Sequence, residues 1–151
     1  MKLVLLGPPG AGKGTQAGAI RDRLGIPHIS TGDMLRRMRA AGTPVGLKAG
    51  AIIDGGGLVP DDLMAQMVRE RLSAADTLSG FLLDGFPRTL DQGVTLESIL
   101  GEMGWKLDHV LYLAVDDAEI VKRISGRRNC GSCGAPCHVM GAPARPEGTC
   151  P

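Results

Sequence analysis

This sequence has few aromatic residues, almost no net charge and no long apolar run. It has two phenylalanines, one tyrosine and one tryptophan among 151 residues, which is a poor supply for stacking nucleobases. The formal net charge is +1, so the overall field favours neither nucleic acid nor an anionic membrane. No stretch approaches the roughly 18 apolar residues of a membrane span. We therefore expect a protein that binds neither nucleic acid nor membranes.

The sequence also shows no targeting signal. Lys2 precedes an apolar run, Leu3 to Leu6, that is shorter than the core of a signal peptide and is followed at once by Gly-Pro-Pro. We expect a cytoplasmic, monomeric protein, long enough for one domain with a hydrophobic core. Because cysteines are reduced in that compartment, the spacing of the four cysteines is first considered for metal binding.

Glycine is abundant, and the most informative glycines lie between residues 7 and 15. The sequence there is Gly-Pro-Pro-Gly-Ala-Gly-Lys-Gly-Thr, between an apolar strand-like run and a helix-like segment. This context predicts a phosphate-binding loop, because residues without Cβ let several backbone N–H groups face one anion and the helix N-terminus adds positive charge. Lys13 supplies a cation for the outer phosphates. Gly14 follows the lysine, so the hydroxyl side chain of the motif comes one residue later than usual, at Thr15. The alternative interpretation of residues 7–15 is a glycine-rich turn that binds no ligand.

Strand-like and helix-like segments alternate along the chain. We predict strands at 2–7, 26–29, 81–84 and 109–115, and helices at 13–24, from 30, 44–53, from 60, 90–103 and 117–127. The alternation predicts an α/β fold with a doubly wound parallel sheet, helices on both faces, and ligands at the carboxyl ends of the strands. Residues 30–59 are predicted to form a small helical insertion bounded by glycines.

A second motif, Asp84-Gly85-Phe86-Pro87-Arg88, ends the predicted third strand. An acid at a strand end beside a phosphate loop is suited to hold Mg²⁺ or its waters. Arg88 can bind a phosphate through two parallel hydrogen bonds. The alternatives are that Asp84 caps a helix and that Arg88 forms a surface ion pair. The phosphate-binding loop predicted at 7–15 makes both alternatives the weaker interpretation.

Two arginines further along the chain are spaced for anion binding. Arg123 and Arg127 lie four residues apart in the predicted helix 117–127 and would share one helix face, where an anion relieves their repulsion. The alternative is a pair of solvated arginines.

Four stretches in order carry a family resemblance: residues 7–15, Ser-Thr-Gly-Asp-Met-Leu-Arg at 30–36, residues 84–88 and Gly-Arg-Arg at 126–128. Together they resemble adenylate kinase, of the long bacterial type with a metal-binding lid, in register from Met1 to Pro151. The resemblance implies a P-loop core formed by 1–29 and 60–125, a nucleoside monophosphate (NMP) binding segment at 30–59, and the start of a zinc-type lid at 126–151. It implies reversible transfer of the terminal phosphoryl of ATP to AMP, giving two ADP, for adenine nucleotide homeostasis.

The resemblance also assigns site residues, together with Mg²⁺ bound with ATP. The ATP site it implies is Gly10, Ala11, Gly12, Lys13, Gly14, Thr15, Arg123 and Arg127. The AMP site it implies is Thr31, Arg36, Gly57, Leu58, Val59, Gly85, Phe86, Pro87, Arg88 and Gln92. The catalytic group it implies is Lys13, Asp84, Arg88, Arg123 and Arg127. Thr31 is similar to the adenine-selective version of its position, and closure of the two smaller segments over the nucleotides is expected to exclude water.

The cysteines suggest a metal site in the last part of the chain. Cys130 and Cys133 have the spacing of a zinc knuckle, and the resemblance implies Cys150 as the third ligand of a structural Zn²⁺. The family's fourth ligand, three residues beyond Cys150, has no counterpart in this sequence. Cys137 and His138 are the nearby substitutes, and Cys137 is interpreted as a spare thiol. Four unrelated thiols are the alternative.

The family continues beyond the position of Pro151, through the rest of the lid, two further arginines, a last strand and terminal helices. We therefore expect that this sequence is truncated within the lid. Two other functions remain open: another nucleoside monophosphate kinase, or a nucleotide-binding module with little or no turnover. No Asn-Lys-x-Asp motif is present, which argues against a switch GTPase.

Overall fold

The computed structural model of the chain describes residues 1–55, 59–129 and 136–139, with the side chains of 53, 54, 127, 129 and 136–138 excepted. These residues belong to two compact units. Of the described residues, those within 1–6 and 13–112 form the first unit, and those within 7–12 and from 113 onward form the second.

The first unit contains a parallel four-stranded sheet. Its strands are β1 (Lys2–Leu6), β2 (His28–Ser30), β3 (Phe81–Asp84) and β4 (His109–Tyr112), in the spatial order β2-β3-β1-β4. Leu5 pairs with Asp84, which sets the carboxyl ends of β1 and β3 side by side. Every residue of β3 is buried, as its continuous apolar run predicts. The predicted parallel α/β fold is confirmed.

Five helices lie in the described part of the same unit. They are α1 (Lys13–Leu24), α2 (Thr31–Ala40), α3 (Pro44–Asp54), α4 (Asp61–Leu72) and α5 (Leu90–Glu102), with a 3₁₀ turn at Ala75–Thr77. Side-chain oxygens of Ser30 and Thr89 cap α2 and α5 by accepting the N–H groups of Asp33 and Gln92. Such caps satisfy donors that the first helical turn leaves without partners, so the helix starts follow from local sequence.

The core of this unit lies between the sheet and the apolar faces of α4 and α5. Strand residues, α4 and α5 contribute buried side chains that include Val4, Phe81 and Leu83, Val68 and Leu72, and Leu96 and Ile99. Burial of each large apolar side chain stabilises the fold by about 1.5–3 kcal/mol. The residues that extend from β2 and β3 at their carboxyl ends are thereby fixed to a rigid base.

The helices α2 and α3 pack tightly against each other. Thr43 Oγ1 accepts the N–H of Gly46 at 3.1 Å and donates to the carbonyl of Met38 at 3.1 Å, which joins the end of α2 to the start of α3. A Cβ on Gly46 would overlap the carbonyl carbon and oxygen of Met38. The close approach of these two helices therefore requires glycine at position 46.

The second unit contains α6 (Asp117–Gly126) and an antiparallel pair, β5 (Arg127–Asn129) and β6 (Pro136–His138). The N–H of Val139 donates to the carbonyl of Gly126 at 3.0 Å. Gly126 is a poor helix former, and Arg127 pairs with His138, so the helix predicted at 117–127 ends one residue early. None of the helices in the described part of the chain is long and apolar enough to cross a membrane.

Candidate functional site

The glycine-rich segment 7–12 adopts a backbone that residues with a side chain rarely adopt. Gly10 and Gly12 have φ values of +80° and +94°, and a Cβ on Gly7 would lie 2.9 Å from the carbonyl oxygen of Leu113. Ala11 N–H donates to the carbonyl of Pro8 at 3.2 Å. These glycines are required by the shape of the loop, as a phosphate-binding loop predicts.

The residues that follow this segment begin helix α1. Lys13 is its first residue, Gly14 and Thr15 are exposed, and its first turn carries no acidic side chain. A helix N-terminus offers N–H donors and partial positive charge, and an acid there would compete with a bound phosphate.

Arg123 lies beside the glycine-rich segment within the second unit. A Cβ on Gly10 would be 3.7 Å from the Cβ of Arg123, and Arg123 Nε donates to Glu119 Oε1 at 2.8 Å. The prediction that Arg123 and Arg127 share a helix face is wrong, because α6 ends at Gly126 and Arg127 opens β5. Arg123 also has a carboxylate partner, Glu119, on its own helix. The four-residue spacing of Arg123 and Arg127 therefore does not by itself indicate that an external anion binds there.

The carboxyl end of β3 brings together a carboxylate and an imidazole. Asp84 is 8% exposed, and its Oδ2 lies 3.4 Å from Nε2 of His28 on the adjacent strand β2. No sequence motif pairs His28 with Asp84, since the adjacency of β2 and β3 is a property of the folded sheet. The only sequence signal for this contact is weak: both residues lie in predicted strands of the same sheet.

The loop after Asp84 is folded tightly over Thr31. Gly85 has φ +85°, and a Cβ there would lie 2.7 Å from Thr31 Oγ1. Arg88 Nε donates to the carbonyl of Gly85 at 2.8 Å, which fixes the guanidinium above this loop. Thr31 and Phe86 are fully buried, so they shape the loop from beneath, whereas Arg88 is exposed. The peptide between Phe86 and Pro87 is cis.

Gln92 connects this loop to helix α4. Its Oε1 accepts the backbone N–H of Arg88 at 2.7 Å, and its Nε2 donates to Asp61 Oδ1 at 2.6 Å. Because Gln92 is only 7% exposed, both hydrogen bonds are partly shielded from water and hold the loop in one position.

Arg88, Gln92 and Asp61 border a cleft of about 430 Å³ within the first unit. Of the predicted AMP-site residues, four line it directly: Arg36, Val59, Arg88 and Gln92. Its other lining residues are Gly32, Leu35, Arg39, Gly50, Asp61, Met64 and Thr89. The cleft therefore combines apolar walls with three guanidinium groups, which suits a ligand with an apolar ring and an anionic group.

Arg36 has an acidic partner on its own helix. Its Nη2 donates to Asp33 Oδ1, three residues earlier. Partial burial disfavours the charged Asp33 carboxylate, but the hydrogen bond and the charge of Arg36 outweigh it, so the pKa of Asp33 lies below its ordinary value. Asp33 is therefore ionised at neutral pH and offsets part of the charge of Arg36.

Several predicted site residues lie outside the described residues: Gly57, Leu58, Cys130, Cys133 and Cys150. The side chains of Arg127, Cys137 and His138 are likewise outside the description. In the described part of the chain, no group of three or more His, Cys, Asp or Glu side chains is placed to hold a metal ion. Asp84 alone still fits Mg²⁺, which typically takes one or two protein carboxylates and fills its other positions with waters and substrate phosphates.

Comparison with known proteins agrees with this geometry. A family model described as "Adenylate kinase" matches residues 5–147. The adenylate kinases of Citrifermentans bemidjiense and Pelobacter propionicus are each 53% identical to the chain over 150 residues, covering 99% of the chain and 70% and 68% of their own lengths. That of Carboxydothermus hydrogenoformans is also 53% identical, with 70% of its length covered.

Proposed function

The chain belongs to the adenylate kinase family, and we propose that its cleft holds AMP while segment 7–15 holds the phosphates of ATP. It is an enzyme of that family, a phosphotransferase that moves the terminal phosphoryl of ATP to AMP and gives two ADP. The observation that best supports the proposal is the convergence of Arg36, Arg88 and Gln92 on one cleft with apolar walls.

In the proposed reaction, the residues of the cleft bind AMP and orient it. Arg88 is held by the carbonyl of Gly85 and by Gln92, so it presents its remaining N–H groups in a fixed direction. With Arg36 it binds the AMP phosphate, and the apolar residues Leu35, Val59 and Met64 accept the base. Thr31 lies under Gly85 and sets the position of the loop. The backbones of Gly57, Leu58 and Gly85 to Pro87 are proposed to contribute to the AMP site.

The chemistry needs no covalent intermediate, because a phosphate oxygen of AMP is already a nucleophile. That oxygen forms a bond to the terminal phosphorus of ATP while the bond from this phosphorus to the bridging oxygen breaks, and ADP is the leaving group. Lys13, Arg123 and Arg127 are proposed to hold the oxygens around the moving phosphoryl, together with the N–H groups of 10–15. When bound with ATP, Mg²⁺ supplies further positive charge beside the phosphates, and Asp84 is the residue proposed to hold it or its waters.

A coupled assay of ADP formation beside an ATP-binding titration tests this function on the 151-residue chain. We expect ADP formation with AMP to exceed that with UMP or CMP, because the position of Thr31 resembles the adenine-selective version. Faster turnover with UMP or CMP would instead indicate another nucleoside monophosphate kinase. ATP binding without ADP formation would indicate a nucleotide-binding module, and absence of binding to both ATP and AMP would contradict the proposal.

We also propose a structural Zn²⁺ held by Cys130, Cys133 and Cys150, which lie outside the described residues. The proposal rests on the Cys-x₂-Cys spacing and on the family, whose structural zinc site has four ligands. Metal analysis of chain purified without chelator is expected to find zinc in wild type and to lose it in Cys130→Ser. A metal-free wild-type chain would contradict this site.

A further inference from the structure

The described lining of the cleft contains one carboxylate, that of Asp61 on helix α4. AMP is an anion, so a carboxylate close to it lowers the affinity through like-charge repulsion. The first turn of α4 has a second acid, Asp62, which favours the positive N-terminus of the helix in the same way and does not line the cleft. Stabilisation of the helix therefore does not explain why an acid lies at the cleft.

The Asp61 carboxylate holds the side-chain amide of Gln92. Gln92 Nε2 donates to Asp61 Oδ1 at 2.6 Å, and Gln92 Oε1 accepts the backbone N–H of Arg88 at 2.7 Å. A carboxylate only accepts hydrogen bonds and a backbone N–H only donates them, so the amide satisfies both partners in one orientation. Two hydrogen bonds in series thus connect α4 to the backbone of Arg88.

Gln92 does more than begin its own helix. Thr89 caps α5 and Gln92 is the third residue of that helix, a position from which glutamine usually reaches back to the N–H of the capping residue. Here the Gln92 side chain reaches one residue further, to the N–H of Arg88, whose guanidinium is proposed to bind the phosphate of AMP. The position of Gln92 therefore affects the loop that binds the ligand.

Asp61 restricts the Gln92 side chain in two ways. A long side chain with one hydrogen bond still has several rotamers, whereas two bonds in different directions leave it one. The charged acceptor also polarises the amide, which strengthens the bond that Oε1 accepts from Arg88. Asp61 is exposed, but Gln92 is only 7% exposed, so the hydrogen bond between them is partly shielded from water.

We propose that Asp61 is a positioning residue for AMP binding: it holds the Gln92 amide and, through this amide, the backbone of Arg88. The proposal rests on the function proposed above, that this cleft binds AMP. Holding these groups in place before AMP arrives raises the affinity by more than the charge of Asp61 lowers it. If Asp61 acted only through its charge, its removal would tighten AMP binding, so the two roles predict opposite results.

Titration of AMP into the 151-residue chain separates these two roles. We expect Asp61→Ala to weaken AMP binding about fivefold, which corresponds to about 1 kcal/mol for one hydrogen bond. Asp61→Asn keeps an oxygen that accepts from Gln92 Nε2, so its affinity should stay within about twofold of wild type. Asp62→Ala is the matched control, because it removes the same charge from the same turn of α4 and should leave AMP affinity unchanged.

Amide hydrogen exchange, measured by NMR without AMP, tests the connection to Arg88 independently of the ligand. In Asp61→Ala the backbone amide of Arg88 is expected to exchange about fivefold faster than in wild type, because its acceptor is less firmly held. The backbone amide of Gln92 donates to Thr89 Oγ1 and serves as the internal control, with an unchanged rate. Asp61→Asn should keep the wild-type rate at Arg88.

A double-mutant cycle tests whether Asp61 acts through Gln92. In a Gln92→Ala background, Asp61→Ala is expected to cause no further loss of AMP affinity. Tighter AMP binding in Asp61→Ala, an effect equal to that of Asp62→Ala, or an undiminished loss in the Gln92→Ala background would overturn the proposal. If wild type binds AMP and exchange at Arg88 is unchanged in Asp61→Ala, this inference alone is wrong; if wild type binds no AMP, the proposed function fails with it.

Discussion

Replacement of Arg88 by alanine is expected to lower ADP formation from ATP and AMP by about 10²- to 10³-fold, the usual effect of removing one preorganised donor to a developing charge. The guanidinium is preorganised because its Nε donates to the carbonyl of Gly85 at 2.8 Å. The backbone N–H of Arg88, which donates to Gln92, is retained in the alanine variant. Initial rates in a coupled ADP assay measure the effect, and an AMP titration gives a second readout of the lost phosphate contact.

The fold of this variant should be intact, since the Arg88 side chain is exposed and contributes no apolar packing to the core. Urea unfolding of wild type and Arg88→Ala is expected to differ by no more than about 0.5 kcal/mol. Arg23→Ala, which removes an exposed arginine at the end of α1, serves as the control and should keep both turnover and AMP affinity. Near-normal turnover in Arg88→Ala would show that Arg88 is not a catalytic residue.

Replacement of Gly46 by alanine is expected to destabilise the chain by about 2–3 kcal/mol, in the range of overpacking where backbone atoms cannot yield. The added Cβ would overlap the carbonyl group of Met38, so α3 has to move away from α2. Because Arg36, Arg39 and Gly50 line the cleft from these two helices, AMP affinity should fall as well. Urea unfolding followed by circular dichroism, with an AMP titration, measures both effects.

Gly18→Ala is the matched control for this substitution. Gly18 lies inside α1, and a Cβ there would meet no atom within 4 Å. In such open space alanine stabilises a helix by about 0.5–1 kcal/mol relative to glycine. A stability of Gly46→Ala equal to that of Gly18→Ala would contradict the close packing of α2 on α3.

The sequence predicted the fold well where local signals are strong. Helix α1 and strand β3 have the predicted bounds, because a glycine-rich loop and a continuous apolar run mark them clearly. Strand β4 ends at Tyr112 and not at Val115, because strand length depends on the partner: β1 ends at Leu6, which pairs with Tyr112. The end of a strand against its neighbour cannot be deduced from that strand's own residues.

The candidate site was predictable only where the residues belong to a motif. Arg36, Arg88 and Gln92 were predicted from the family resemblance, and all three line the cleft. The contact of His28 with Asp84 depends on two strands being neighbours, and that of Arg39 with Gly50 depends on the packing of two helices. Neither contact has a local signature, because the partners are distant in sequence and are joined only by the folded structure.

The central claim is that the cleft lined by α2, α3, α4, residues 88 and 89 and Gln92 of α5 is the AMP site. An NMR titration of AMP into ¹⁵N-labelled chain tests it most directly, through the backbone amide resonances. The account predicts saturable shifts that are largest at Gly32, Arg36, Gly85, Arg88 and Gln92, and much smaller ones when adenosine replaces AMP at Arg36 and Arg88. Saturable shifts confined to residues away from the cleft, or no shifts at millimolar AMP, would contradict it.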